Sequence, residues 1–161
     1  MSIADKLKNS IMSSEASLVG YADLSGFRAD MRADMPVGVS IAVALDPKII
    51  AEINYGPTNE YNAEYKRANR LLTTLGNLAA ETLKSDGYKA RALAPTDEGL
   101  NLDTLTRLLP HKTAATRAGL GWIGKCALLV TKDYGSALRL TTVFTDANLP
   151  MGTPVNQSMC G

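Results

Sequence analysis

Val37-Gly38-Val39-Ser40-Ile41-Ala42-Val43-Ala44-Leu45 is the stretch on which the fold turns. Its apolar residues run almost without a polar break, the pattern of a strand covered on both faces. Such a strand needs layers above and below it. Upstream, Ile3, Ala4, Leu7 and Ile11 recur at helical spacing, which predicts a short amphipathic helix over residues 2–13 with Ser2 as N-cap. Leu18 to Ala22 reads as a short strand, closed by Asp23, Ser25 and Gly26, and residues 27–36 read as a connection ending at Pro36.

Downstream, Asp46-Pro47 stops the strand and opens a short helix, because proline suits a first helical turn. Thr58 or Asn59 can cap the next element. There Tyr61, Tyr65, Ala68, Leu72, Leu75, Ala79 and Leu83 keep the 3–4 spacing of one buried face, until Asp86-Gly87 supplies a left-handed end. Residues 88–93 alternate as a half-buried strand, and residues 102–109 predict a helix broken before Pro110. Ala127–Thr131 and Leu138–Phe144 read as two strands joined by the turn composition Asp133-Tyr134-Gly135-Ser136, an antiparallel hairpin. The expected fold is α+β, a layered mixed sheet with flanking helices. Residues 1–150 form the domain and residues 151–161, poor in apolar periodicity, a tail.

The 161 residues suit one domain with a sizeable core. A formal charge of +1 gives none of the basic footprint of a duplex-binding domain, so no direct nucleic-acid contact is expected. No apolar run approaches the ~18 residues of a membrane span, and Asp5, Lys6 and Lys8 interrupt any signal-peptide core. Two cysteines, Cys126 and Cys160, make no disulfide framework, and a cytoplasmic location is expected.

The densest segment is His111 to Lys125, with the only His, the only Trp and three glycines. Gly119, Gly121 and Gly124 match the spacing of a pyrophosphate-cradling loop. That motif wants a strand upstream, whereas Lys112–Arg117 reads as a helix, and only Asp146 offers the later acidic residue. The competing reading is a corner in which the glycines permit close backbone approach and Trp122 plugs the core.

Ala118-Gly119-Leu120-Gly121-Trp122-Ile123-Gly124-Lys125, then Leu128-Leu129-Val130-Thr131, Tyr134-Gly135-Ser136 and Thr145-Asp146-Ala147-Asn148-Leu149-Pro150, resembles the epoxyqueuosine reductase family in block order and spacing. Glu60-Tyr61 falls where that family has an acidic-Tyr-His triplet, and Cys160-Gly161 where it begins its first iron–sulfur motif. The resemblance implies a cobalamin-binding domain on a nitroreductase-like core. A ferredoxin domain with two [4Fe–4S] clusters follows in the family, and cobalt-centred reduction completes queuosine synthesis on tRNA. Cys160 would be a cluster ligand only in a chain that continues into the motif, since a cluster needs four thiolates. This polypeptide by itself is expected to be inactive, lacking its ferredoxin-like partner. The family's acid falls on Leu105 here. Asp103 lies two residues away, the weak catalytic candidate, which favours a paralogous substrate, small or tRNA-borne.

By the same resemblance the cofactor-binding candidates are Ala118, Gly119, Leu120, Gly121, Trp122, Gly124, Lys125, Tyr134, Gly135, Ser136 and Arg139. The glycines would let the chain pass close to a flat macrocycle. His111 could sit under the corrin or donate a proton, or simply meet solvent or backbone. Lys112, Arg117 and Lys125 could bind phosphate or propionamide groups, or be solvated charge. Arg139, a lone charge among apolar neighbours, either faces outward or lines a pocket. Cys126 is expected to be a buried apolar thiol. Two other functions stay open: a non-catalytic module binding a small ligand or partner, and a flavin-dependent oxidoreductase.

Overall fold

A computed structural model describes residues 1–95 and 108–161. Helix α1 (Ile3–Ser13) starts on a capping box, Ser2 and Asp5 each satisfying the other's backbone N–H. Strand β1 (Leu18–Asp23) leads through a single 3-10 turn (Ala29–Arg32) to β2 (Val37–Ala44). Asp46 caps α2 (Pro47–Ala51) and Thr58 caps the 27-residue α3 (Asn59–Ser85), after which Gly87 turns at φ +92°. Strand β3 (Ala90–Ala92), helix α4 (His111–Arg117), the short strands β4 (Trp122–Ile123) and β5 (Leu129–Val130), and β6 (Leu138–Thr145) complete the order. The helix expected at 102–109 and its Asp103 lie outside the described residues up to 107, and residues 108–110 are not helical.

The main sheet runs β1-β2-β6-β3. The mixed sheet expected from the sequence has three ladders that all run antiparallel. The large–small alternation of β2 explains how both of its faces are buried. Val37, Val39, Ile41 and Val43 enter the core with Leu7 and Ile11 of α1 and Leu72, Leu75 and Leu83 of α3. Full burial of each such side chain contributes ~1.5–3 kcal/mol. The opposite face carries small residues, and Ala42 there packs with Ala115 of α4. Gly20 continues this small face on β1, where an added Cβ would meet Leu120 Cδ2 at 2.9 Å and Ala118 Cβ at 3.1 Å. Small residues thus bring α4 close to the sheet, while α1 and α3 cover the bulky side.

The expected hairpin between residues 127–131 and 138–144 does not form. Strand β5 pairs with β4, Trp122 opposite Val130, in a separate two-stranded ribbon, and β6 inserts between β2 and β3. An eight-residue strand gains more by pairing with β2 along its whole length than with a two-residue neighbour. The tail has no regular structure, yet it packs along α4 and β1. Gly152 N–H donates to the Tyr21 carbonyl at 2.8 Å and Val155 N–H to the Thr116 carbonyl at 2.9 Å.

Candidate functional site

Strand β3 pairs only with residues 143–145 of β6, and Leu93 N–H adds one more bond to the Thr142 carbonyl. Among the described residues, the first half of β6 therefore has a strand partner, β2, on one edge only. A cleft of about 590 Å³ opens along the other edge. Leu138 and Leu140 form part of its wall, Leu93, Leu108 and Leu128 add apolar surface, and Arg139, Lys112, His111 and Ser136 add polar groups. Its size and its apolar lining with a few polar groups are those of a cofactor or small-ligand site.

Arg139, His111 and Lys112 are each held by neighbours. Arg139 donates from Nε to Asn69 Oδ1 at 3.2 Å and from Nη2 to the Tyr65 hydroxyl at 3.0 Å, with its guanidinium 4.3 Å from the Tyr65 ring centroid. Helix α3 therefore sets where this cation stands. His111 opens α4, with Nδ1 2.9 Å from Thr142 Oγ1 and Nε2 2.8 Å from the Ala94 carbonyl. A carbonyl only accepts, so Nε2 carries a proton. Lys112 Nζ donates to the Ala127 carbonyl at 3.0 Å, tying α4 to the loop before β5. Ala127 itself stands at φ +61°, a left-handed position unusual for a residue with a Cβ.

Of the candidates read from the sequence, Ser136 and Arg139 line this cleft, while Ala118, Gly119, Leu120, Gly121, Trp122, Gly124, Lys125, Tyr134 and Gly135 do not. The close approach that the glycines allow is to the chain itself. An added Cβ on Gly121 would stand 2.1 Å from the Val130 carbonyl oxygen, and one on Gly119, at φ +79°, 2.7 Å from the Thr153 carbonyl oxygen. The corner is a packing joint between α4, β5 and the tail. Ala118 is buried in it, and Trp122, half-buried, donates from Nε1 to Cys160 Sγ at 3.4 Å. That bond, with others from Lys125 N–H and Ser158, holds the Cys160 thiol below its usual range. Arg117 points to the tail as well, donating to the Val155 carbonyl at 2.9 Å. Gly135 closes the turn after Lys132 at φ +57°, and Tyr134 is 38% exposed on it.

Cys126 is exposed rather than buried, because it sits in the turn before β5 instead of within a strand. Asp146 receives Lys89 N–H at 2.8 Å and so tethers the start of β3. The sequence reading did not single out the cleft residues Leu93, Leu108 and Leu140. Nothing local distinguishes a leucine beside a cleft from one in a core. No group of three or more His, Cys, Asp or Glu residues suited to a metal occurs among the described residues.

No protein-family model matches the chain. An epoxyqueuosine reductase of Synechocystis is 43% identical over 53 residues, which are 33% of this chain and 18% of that protein. A second, from Atelocyanobacterium thalassa, is 26% identical over 152 residues, 85% of this chain and 46% of the relative. This chain resembles the epoxyqueuosine reductases. It spans less than half the length of these relatives. Solved structures share the fold. A catabolic reductive dehalogenase superposes at TM-score 0.75 with 16% identity, over 93% of this chain and 22% of the other. A second reductive dehalogenase, described as acting by B12-dependent dehalogenation, superposes at 0.67 with 18% identity over 96% and 20%. An epoxyqueuosine reductase bound to a modified tRNA-Tyr stem loop superposes at 0.63 with 17% identity over 94% and 47%. The α+β core with flanking helices is thus the fold of the epoxyqueuosine reductases and of the dehalogenases alike.

Proposed function

We propose that this chain is the corrinoid-binding part of an iron–sulfur reductase resembling epoxyqueuosine reductase, and that the cleft along β6 is the cofactor site. The observation that carries this reading is the cleft itself, an apolar hollow with cationic and hydroxyl groups around it on the fold that these reductases share. It replaces the glycine corner, which the tail fills.

The residues present suit a corrinoid. Leu93, Leu108, Leu128, Leu138 and Leu140 offer apolar surface to a flat ring. Arg139, Lys112 and Ser136 offer donors to peripheral amides and phosphate. Both ring nitrogens of His111, the chain's single histidine, are already in hydrogen bonds, so its role is to hold the wall. A bound corrinoid would supply cobalt-centred reducing power, while the chain binds it, orients it and keeps water from its apolar face. Electrons would come from clusters outside these 161 residues, whose two cysteines are short of the four thiolates of a [4Fe–4S] site. Alone the chain would not turn over. Its substrate would be a small or tRNA-borne molecule, paralogous to epoxyqueuosine, since the position of the family's acid is taken by Leu105. The reading places this chemistry in the cytoplasm. Among the described residues no helix is long and apolar enough to cross a membrane.

The test is to mix the chain with hydroxocobalamin and, separately, with FMN, to desalt, and to record visible spectra. Retained corrinoid absorbance supports the proposal. Retained flavin alone would assign a flavin-dependent oxidoreductase, and retention of neither a non-catalytic module.

A further inference from the structure

Among the described residues, the charged side chains that line the cleft are cations: Arg91 of β3, Lys112 of α4 and Arg139 of β6, with no Asp or Glu beside them. Composition does not account for this, because the chain holds 17 Lys and Arg against 16 Asp and Glu. None of the three is in an ion pair among the described residues. Arg139 meets an amide oxygen, a phenol and that phenol's ring, and Lys112 meets a carbonyl. Neutral partners orient a cation without cancelling its charge. Arg139 is half-buried, so its field is screened less than that of a fully solvated side chain. Its Nε and Nη2 are engaged, whereas Nη1 donates to nothing among the described residues and is left for an incoming acceptor.

We propose that the cleft recognises an organic anion, an apolar ring-bearing body with a carboxylate or phosphate at its edge, and that Arg139 anchors the anionic group. This deepens the reading above: it rests on the cleft being a ligand site, but not on a corrinoid filling it. The apolar body lies against Leu93, Leu108, Leu128 and Leu140, and the anion accepts from Arg139 Nη1. A guanidinium already fixed by Asn69 and Tyr65 loses little freedom on binding, and its bond to an anion is charge-assisted. Arg91 and Lys112 add to the positive potential of the cleft and draw the anion in. A neutral ligand of the same shape would shield Nη1 from water and leave it unpaired, which disfavours it. The same chemistry has two sources, a small acidic substrate and the phosphodiester of a corrinoid's nucleotide.

The chain is dialysed to equilibrium against anilinonaphthalene sulfonate and, separately, against phenylnaphthylamine, the same rings without the sulfonate. The sulfonate stands in for the carboxylate or phosphate. The preference for the anion, read as the ratio of the two dissociation constants, is expected to drop about tenfold in Arg139→Gln and about threefold in Lys112→Gln. It should not move in Lys8→Gln, which removes an exposed cation of α1 outside the cleft. Circular dichroism checks that each variant is folded. Should Arg139→Gln unfold, Lys112→Gln decides, together with an expected fall of the wild-type preference by about threefold from low to high salt. A preference that a folded Arg139→Gln leaves unchanged, or wild-type chain that binds the neutral dye alone or neither dye, overturns the proposal. None of these outcomes touches the corrinoid reading, which the retained cobalamin spectrum decides by itself. Dialysis repeated with saturating hydroxocobalamin separates the two sources. Dye that stays bound assigns the anion to a separate acidic substrate, and dye that is displaced assigns it to the corrinoid's phosphodiester.

Discussion

The Arg139 guanidinium lies 4.3 Å from the ring centroid of Tyr65 and donates to that residue's hydroxyl at 3.0 Å, so a strand residue and a helix residue jointly place a cation at the cleft wall. A stacked, hydrogen-bonded arginine is not replaceable by lysine, which lacks the planar fork. Arg139→Leu is expected to weaken cobalamin binding by about tenfold or more. Arg139→Lys should recover only part of that loss. Titration followed by visible absorbance reads both. Tyr65→Phe keeps the ring under the cation, removes the hydroxyl that accepts from Arg139, and should cost about 1 kcal/mol in urea unfolding.

His111 joins the segment just after β3 to β6 through Ala94 and Thr142. His111→Ala leaves the Ala94 carbonyl and the Thr142 hydroxyl without these partners. A loss of about 1–3 kcal/mol is expected in chemical denaturation. Thr142→Val, which removes one of the two bonds, should cost less.

Glu64 is 7% exposed and receives Arg67 at 2.6 and 2.8 Å and Asp46 N–H at 3.1 Å. The Arg67 hydrogen bonds hold its carboxyl below the usual range, with the Asp46 bond adding to the effect and burial opposing it. A lowered folded value means that this stabilisation is fully present above the unfolded carboxylate value near ~4.3 and is lost as pH falls through the folded value. Glu64→Gln should therefore be less stable than wild type by about 1–3 kcal/mol at neutral pH. The gap should shrink in melts taken progressively below about pH 4.3. Because Arg67 is 46% exposed at its side chain, most of the difference is ascribed to the buried carboxylate's hydrogen bonds rather than to the ion pair.

Gly121 and Gly26 give a matched comparison. A Cβ at position 121 would stand 2.1 Å from the Val130 carbonyl oxygen, so Gly121→Ala must part β4 from β5, whereas nothing lies within 4 Å of a Cβ at position 26. Thermal melts should show Gly121→Ala destabilised by about 3 kcal/mol or more and Gly26→Ala within about 0.5 kcal/mol of wild type.

Much of the element order is legible along the chain because its causes are local. The Ser2 capping box, the Thr58 cap, the leucine stripe of α3 and the large–small alternation of β2 each act within a few residues or one periodic face. The site is less legible. Ser136 and Arg139 line the cleft, but the glycines, Trp122 and Lys125 belong to a corner occupied by β5 and the tail. Glycine spacing says that something comes close. It does not say whether that is a ligand or another stretch of the same chain.

The amino-acid sequence by itself determined α1, α2, α3, β1, β2 and β6, the Ser2 and Thr58 caps and the double burial of β2, since hydrophobic period and terminal hydrogen bonds are satisfied among near neighbours. The tertiary structure alone decided that β6 joins β2 rather than β5, that the edge beyond β3 opens into a cleft, and that residues 150–161 return to cover the corner. These depend on which distant segments win a given edge or face, a competition between contacts that no local pattern encodes.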